Sequence, residues 1–478
     1  MIKLPDASTL SPAERFALDV LVDLARLVPA GPTLDVVRLE LSEQAPRDLR
    51  GWMAAGWGID IADGVVRVPR AVLQLVIEVA GAASEQRAHD RDRYDRVPSA
   101  ANPLVREGGG LEREPVIHRA ALALQAAACK AAGRRAFRTI APWPEGRRWA
   151  AAFTHDLDVV SWWPAFALLR IAELGRKGAF AQLARVVAAA VGNLGFDPVT
   201  RGVAGVLDYE SSARIRSTWF ILCGTPTLQT MRAGDLTYRP ESPKARAILA
   251  QVRAAGHEIA LHGSFATLNN KAAFDEQRAR LEGIAGSPVR GVRQHYVRIH
   301  PGVTEHAMAH AGFVYDTTYG FPDRNGFRLG VADVLPRWDA VANEPIAIDE
   351  VPFTWMDRAL SKYRGIESPT AWSADALELA ATARGVGGLW VGLWHPNLTP
   401  ALGFPDAPAA YGATIAGVLA ESPFVAPLET IVAWRRARRA VRATAIAPDG
   451  KVEATTPVPA PFQLRLEDGD GRLAEAVR

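Results

Sequence analysis

Cysteine is scarce in this chain, with two residues in 478, and methionine, with five, is nearly as rare. The two cysteines, Cys129 and Cys223, lie far apart and in unlike contexts. A disulfide framework needs more cysteines than this, and a thiolate metal site needs them in closely spaced pairs. The sequence therefore excludes both a disulfide-stapled fold and a cysteine-based metal centre.

Long hydrophobic runs are also missing. The nearest approach to a membrane span, Ala179–Phe196, is interrupted by glutamine, arginine and asparagine. The first residues show no apolar stretch followed by a small-residue cleavage site. The expected compartment is the cytoplasm, and no membrane span is expected.

Charge of one sign is not in excess, because the net charge is only +3 and the basic residues are mostly dispersed. This pattern excludes the electrostatic footprint of a nucleic-acid-binding protein. The one dense basic cluster, Trp434–Arg439, is typical of the solvated face of a helix. Contact of this cluster with an anionic polymer or membrane surface is the alternative.

Two carboxylates follow an apolar run in the stretch Trp149–Asp158. Side chains alternate along a strand, so Asp156 and Asp158 are expected to share a face while His155 points away. Carboxylates this close need a compensating cation. A divalent metal would leave one aspartate as ligand and the other as base.

The chain divides into three predicted parts. Residues 1–145 form a mainly helical domain of unknown role, in which 82–114 is predicted to be a linker or exposed loop. In residues 146–440 strand patterns alternate with helical ones, apart from a helical insertion at 160–210, and 441–478 is a β-rich tail. This alternation predicts an α/β fold with a largely parallel sheet, either open or closed into a barrel.

Ionisable side chains stand where several of the predicted strands end. Asp156 and Asp158, His262, His295 and His395 each follow an apolar run. The carboxyl ends of parallel strands meet at one edge of a sheet, which is where such proteins bind ligands. We therefore expect these residues in one site.

These motifs resemble the polysaccharide deacetylase family (NodB-homology domain, carbohydrate esterase family 4), in a divergent bacterial branch. The segments that carry the resemblance are Thr154–Asp158, Ser217–Gly224, Gly256–His262, Gly291–Tyr296 and Leu389–Pro396. The resemblance implies a distorted (β/α) barrel, with the N-terminal domain and a small C-terminal β appendage added to it. It also implies a divalent metal, with zinc as the default.

The resemblance assigns Asp158 and His262 as metal ligands. The family's second histidine, four residues after the first, is Ala266 in this chain. His295 stands where the family has proline, beside the expected metal, and is the predicted replacement ligand. Asn269–Asn270 is the second choice.

The resemblance also implies catalytic roles. Asp156 corresponds to the base and Asp158 to the ligand, although the extra residue between them leaves the reverse assignment open. Arg293 is expected to pair with Asp156 and keep it ionised. His395 is the expected acid for the leaving amine, and Asp357 is expected to orient it.

Three residues are candidates for substrate binding. Tyr296 and Trp355 are expected platforms for a sugar ring, with core packing as the alternative for any single tryptophan. Arg328, in a loop bounded by glycines, is expected either to contact a substrate phosphate or carboxylate or to lie in a surface turn.

The predicted function is metal-dependent removal of an N-acetyl group from an amino sugar or polysaccharide. The expected partner is therefore an N-acetylated sugar or glycan. Two alternatives remain open, namely a hydrolase of a non-sugar amide on the same scaffold and a non-catalytic carbohydrate-binding relative. Retention of Asp156, Arg293 and His395 together favours catalysis, because a binding module would not require all three.

Overall fold

The computed structural model describes most of the 478-residue chain. The described residues are 1–31, 34–133, 137–161, 165–192, 197–228, 230, 235, 238–366, 368–400, 404, 406–446, 452–455, 464–468 and 473–477. Parts of the predicted insertion and of the predicted tail therefore lie outside the described residues.

Helices and strands alternate through the middle of the chain. The strands are β1 (Ile2–Lys3), β2 (Val37–Ser42), β3 (Asp60–Ala62), β4 (Val65–Pro69), β5 (Arg138–Ile140), β6 (Ala150–Leu157), β7 (Thr218–Leu222), β8 (Glu258–Gly263), β9 (Gly291–Gln294), β10 (Tyr315–Asp316), β11 (Leu335–Asp339), β12 (Glu344–Glu350), β13 (Trp355–Met356), β14 (Leu389–Trp394), β15 (Phe424–Val425), β16 (Arg442–Ile446), β17 (Val452–Thr455), β18 (Leu464–Asp468) and β19 (Leu473–Val477). The α-helices are α1 (Pro12–Leu24), α2 (Leu49–Ala54), α3 (Arg70–Val79), α4 (Ala83–Gln86), α5 (Pro103–Glu107), α6 (Val116–Ala132), α7 (Ala165–Arg176), α8 (Phe180–Gly192), α9 (Pro198–Ala213), α10 (Pro243–Ala254), α11 (Lys271–Ala285), α12 (Val303–His310), α13 (Pro369–Gly385), α14 (Ala407–Ala420) and α15 (Leu428–Ala440). None of the described helices is long and apolar enough to cross a membrane.

The central sheet has ten strands, in the order β11-β12-β10-β9-β8-β7-β6-β14-β13, with β15 paired to β6. Every pair is parallel except β11 with β12. β6 is buried along its whole length, as expected of a central strand covered on both faces. The molecule is therefore a mixed α/β protein built on a parallel sheet.

The segment between β12 and β13 crosses the open side of this sheet. The amide of Val351 donates to the Asp316 carbonyl (2.8 Å), and the amide of Thr354 donates to the Val391 carbonyl (2.9 Å). One end of the segment thus pairs with β10 and the other with β14. The inward side chains, among them Phe220 and Phe353, form one continuous core inside a distorted barrel.

Helix-start signals fix where the outer helices begin. Ser242 accepts a hydrogen bond from the Ala245 amide and precedes α10, and Asn270 caps α11 by accepting from Ala273 (3.1 Å). Ser368 caps α13 in the same way. Serine and asparagine are favoured at these positions because their oxygen satisfies an amide that has no partner within the helix.

The N-terminal region is helical but also contains a four-stranded sheet, β1-β2-β4-β3. Its core continues into the barrel through residues such as Tyr319, Leu329 and Trp338. The prediction that 82–114 is a linker or exposed loop is wrong. This stretch forms α4 and α5 and buries Glu85, because it packs against the barrel.

The basic cluster of α15 is not a solvated face, so that expectation is also corrected. Arg435 is fully buried and pairs with Asp333 (2.5 Å) and Asp23 (3.1 Å). Arg439 pairs with Asp23 (3.1 Å) and Asp349 (2.7 Å). These arginines join α15 to α1 and to the barrel.

The predicted insertion and tail have the following structure. In the insertion the described residues form α7, α8 and α9. In the tail, β16 pairs with β17, and β18 pairs with both β19 and β5. The last strands therefore return to the start of the barrel region, since β5 immediately precedes it.

Candidate metal centre and active site

The end of β6 supplies two carboxylates to the rim of the barrel. Asp156 is the penultimate residue of β6, and Asp158 lies one position beyond the strand. His155 faces the opposite side of the sheet, where its ring nitrogens contact the Trp394 carbonyl (3.1 Å) and Glu210 (2.9 Å). The alternation of the strand thus separates His155 from the two aspartates.

Three residues from three strand ends bring potential metal ligands together. One ligand atom each from Asp158, His262 and His295 lies within 4.8 Å of the other two. Asp158 Oδ1 is 3.3 Å from His262 Nε2 and 3.7 Å from His295 Nε2. Donors about 2.0–2.2 Å from a tetrahedral ion are separated by about 3.3–3.6 Å. The distance to His262 lies within this range and the distance to His295 is slightly longer, so the spacing is close to that of a zinc site.

The hydrogen bonds of the two histidines leave their Nε2 atoms free to bind a metal. His262 Nδ1 contacts the Arg293 carbonyl (2.9 Å), and His295 Nδ1 contacts Asp235 Oδ1 (3.1 Å), so both Nδ1 atoms carry the proton. Asp158 Oδ1 is buried and accepts no hydrogen bond from any described residue. Three lone pairs therefore converge, and a cation is the group that satisfies them together.

Asp235 was missed by the sequence reasoning. It is fully buried, and its other oxygen accepts from the Phe265 amide (2.8 Å). The pKa of its carboxyl is lowered, because the hydrogen bond and charge of His295 outweigh burial. No apolar run precedes Asp235, so nothing in the sequence sets it apart.

Asp156 lies between an arginine and the candidate metal ligands. Arg293 Nη1 donates to Asp156 Oδ1 (2.7 Å), while Oδ2 lies 3.6 Å from His262 Nε2. Burial acts to raise the pKa of Asp156, but Arg293 and then His262 lower it more. Arg293 is itself fixed by Thr154 and Thr317. Asp156 is thus an ionised carboxylate with one oxygen facing the ligand set.

His395 directly follows β14 and lies near Asp158 Oδ2, whereas the two candidate histidine ligands lie near Asp158 Oδ1. Its Nε2 lies 3.6 Å from Asp158 Oδ2, and its Nδ1 contacts Asp357 Oδ1 at 2.6 Å. Asp357 Oδ2 also accepts from the His395 amide (2.7 Å). Burial acts to lower the pKa of His395, but the Asp357 carboxylate outweighs it and the pKa rises to about 9. The imidazole is therefore protonated at neutral pH.

Tyr296 stands at the mouth of the site. Its ring stacks on that of His295, with 4.0 Å between centroids, and the side chain is partly exposed. Its backbone has a φ of 61°, a left-handed conformation that non-glycine residues rarely adopt. The chain turns sharply here, immediately after β9.

Two of the predicted substrate contacts are corrected by burial. Trp355 is 1% exposed and stacks on Trp394 in the core outside the barrel, so it offers no platform. Arg328 is 2% exposed and pairs with Glu85 at 2.5 Å, and its Nη1 donates to the Gly320 carbonyl (2.9 Å). It is neither a substrate contact nor part of a surface turn, because the N-terminal region covers it.

The second-choice ligands have other partners. Asn270 caps α11, and Asn269 contacts His300 (2.6 Å) and accepts from Thr304 (2.6 Å). The structure therefore brings Asp158, His262 and His295 together and leaves both asparagines outside the group.

Comparison with known proteins finds likeness of fold only. No protein-family model and no curated protein matches the chain. A protein described as a polysaccharide deacetylase from Mycobacterium smegmatis aligns with 64% of this chain and 96% of its own, at 24% identity and a TM-score of 0.41. A polysaccharide deacetylase from Pseudomonas aeruginosa aligns with 62% and 94%, at 17% identity and a TM-score of 0.41.

A more distant structure is the chitin deacetylase of the fungus Colletotrichum lindemuthianum. It aligns with 65% of this chain and 93% of its own, at 11% identity and a TM-score of 0.32. What the site of the present protein can do chemically follows from its own side chains.

Proposed function

We propose that the protein is a metal-dependent hydrolase that removes an N-acetyl group from an amino sugar or polysaccharide. The observation that carries the proposal is the convergence of Asp158, His262 and His295 on one point at the barrel rim. An ionised carboxylate, Asp156, and a protonated imidazole, His395, flank that point.

Asp158, His262 and His295 would hold the metal, and zinc suits their one oxygen and two nitrogen donors. When bound, a divalent metal supplies Lewis-acid chemistry that activates water and polarises a carbonyl. The proposed compartment of the protein is the cytoplasm.

The protein's own groups divide the proton transfers between them. Asp156 takes the proton of the attacking water, and Arg293 keeps that carboxylate ionised between turnovers. His395 gives its Nε2 proton to the departing amine nitrogen, since Asp357 holds Nδ1 and raises the pKa of the ring. General acid–base pairs of this kind contribute about 10²–10⁴-fold to a rate.

The test combines metal content with acetate release. We expect near-stoichiometric zinc and acetate release from chitin oligosaccharides or another N-acetyl sugar for the native protein. His295→Ala should lose both metal and activity. Asp156→Asn should keep the metal and lose about 10²–10⁴-fold in turnover.

Two results would contradict the proposal in different ways. Native protein that takes up no metal after incubation with zinc would rule out the hydrolase and favour the carbohydrate-binding alternative. Metal-loaded protein that hydrolyses a ureide or formamide but releases no acetate from amino sugars would favour the non-sugar amide alternative.

A further inference from the structure

Three tyrosines from separate parts of the chain form a cluster beside the candidate ligand His295. Tyr94 stacks on Tyr296, with 4.8 Å between centroids, and Tyr296 stacks on the candidate ligand His295. Tyr363 lies on the π-helical turn Ala359–Tyr363. The Arg96 guanidinium lies 4.8 Å from the ring centroid of Tyr94 and 5.6 Å from that of Tyr363. Aromatic rings beside a polar site suit the C–H face of a sugar.

The N-terminal region holds this arrangement in place. Arg96 Nη1 donates to the Tyr296 carbonyl (2.9 Å), and Arg298 Nε donates to the Tyr94 carbonyl (2.8 Å). The same Arg96 is buried and pairs with Asp92 at 2.6 Å. The segment that carries Tyr94 is therefore fixed to the barrel rim, one ring away from the candidate metal ligand.

A lysine stands among the three rings. Lys362 Nζ lies 5.6 Å from the centroids of Tyr94 and Tyr296 and 5.5 Å from that of Tyr363. It makes no ion pair with any carboxylate of the described residues. Cation–π attraction holds an ammonium in such a place but leaves its charge uncompensated.

The surroundings of Lys362 are positive. Burial lowers the pKa of Lys362 to about 8, and the neighbouring charges of Arg358 and Arg93 add to this effect. The charge of Glu173 raises the pKa of Lys362 and the charge of Arg96 lowers it, both more weakly. Because an anion in this position would meet several positive charges and one half-buried ammonium, the local field favours anion binding.

We infer that Lys362 and the three tyrosines form a subsite for an anionic group, a carboxylate or a phosphate, on the substrate sugar. This inference rests on the proposed function, because it places the N-acetyl group at Asp158, His262 and His295. Tyr296 stacks on His295, and its ring centroid lies 5.6 Å from Lys362 Nζ, so one molecule would span both positions. The substrate class is then an acidic N-acetylated sugar.

The experiment measures binding separately from turnover. Calorimetric titration of Asp156→Asn protein would use N-acetylglucosamine 1-phosphate, N-acetylglucosaminuronate and the neutral methyl N-acetylglucosaminide. We expect one or both anionic sugars to bind about tenfold more tightly than the neutral one, and added salt to reduce the difference. The phosphate and uronate titrations show which anion the subsite prefers.

Substitutions of Lys362 test whether this residue causes the preference for anionic sugars. Lys362→Met, made in the Asp156→Asn protein, should remove the preference and leave binding of the neutral sugar unchanged, whereas Lys362→Arg should retain it. Lys130→Met, at an exposed lysine of α6, is the matched control and should change nothing. Circular dichroism would verify that each variant is folded.

The inference is overturned if neither anionic sugar binds more tightly than the neutral one, or if neither binds at all. It is also overturned if Lys362→Met weakens the binding of all three sugars equally, since the lysine would then only hold the tyrosines in position. Anion binding that depends on Lys362, in a native protein that releases no acetate, would support the subsite while refuting the deacetylase. Acetate release without a preference for anionic sugars would support the deacetylase and refute the subsite.

Discussion

Asp235 Oδ1 accepts a hydrogen bond from His295 Nδ1 at 3.1 Å, and this contact decides which nitrogen of His295 faces Asp158. A carboxylate behind a metal-binding histidine fixes the tautomer and the orientation of the ring. In the proposed site His295 would replace the ligand that the resembled family places four residues after His262, and Asp235 would hold the His295 ring in the orientation that metal binding needs.

Replacing Asp235 with asparagine should weaken zinc binding about 10–100-fold, because the ring of His295 loses the acceptor that orients it. Competition with a chelating dye would measure the affinity, with His295→Ala as the more severe reference. Asp275→Asn, at an exposed carboxylate of α11, is the control. Equal zinc affinity in Asp235→Asn and native protein would refute this role for Asp235.

Replacing Asp357 with asparagine should lower the rate of acetate release about 10–100-fold while zinc content stays unchanged. The carboxylate raises the pKa of His395, so its loss lowers that pKa and leaves less protonated acid at a given pH. Turnover falls as pH rises through the pKa of a general acid. The alkaline decline should therefore begin at lower pH in Asp357→Asn than in native protein, and pH–rate profiles with an unshifted decline would contradict the assignment.

Replacing Arg328 with alanine should destabilise the fold rather than weaken substrate binding. Removing one partner of a buried ion pair leaves the other charged and desolvated, at a cost of about 3–5 kcal/mol. Arg324→Ala, close by in the chain, is the control, because the Arg324 side chain is 32% exposed and its ion pairs with Asp323 and Glu112 are long. Thermal unfolding would measure the stability of both variants. A large rise in KM with an unchanged melting temperature would restore Arg328 as a substrate contact.

The buried carboxyls of Asp316 and Glu350 predict a pH dependence of stability. Burial raises the pKa of Asp316 to about 7, and burial with the neighbouring Asp316 raises that of Glu350. Both groups favour the folded state when protonated, so their contribution is full below about pH 4 and is lost as pH rises through about 7. One pKa unit corresponds to about 1.4 kcal/mol, so the free energy of unfolding should fall by a few kcal/mol over this pH range.

Melting temperatures measured between pH 5 and pH 8 would test this dependence. Native protein should lose stability over that range, and Asp316→Asn should lose less, because an amide does not ionise and removes the repulsion on Glu350. Parallel curves for the two proteins would show that the pair does not titrate in this range.

The strand pattern of the barrel was readable from the sequence because buried strands are runs of apolar residues. The apolar run Leu389–Trp394 predicts a strand, and β14 has the same bounds. The apolar pattern Ile348–Phe353 also predicts a strand, but β12 ends three residues before Phe353, at Glu350. The apolar run continues past it because Val351 and Phe353 line the barrel where the chain crosses its open side. A buried crossing and a buried strand have the same composition, so sequence does not separate them.

The sequence by itself determined the parallel α/β order and the ionisable residues at the ends of β6, β8, β9 and β14, because strand ends in such a sheet meet at one edge. Only the tertiary structure decided which neighbours complete that edge. Asp235 reaches His295 across 60 residues, and Tyr94 reaches Tyr296 from a region predicted to be a linker. These contacts depend on packing between distant segments, and no local period or spacing in the sequence records such packing.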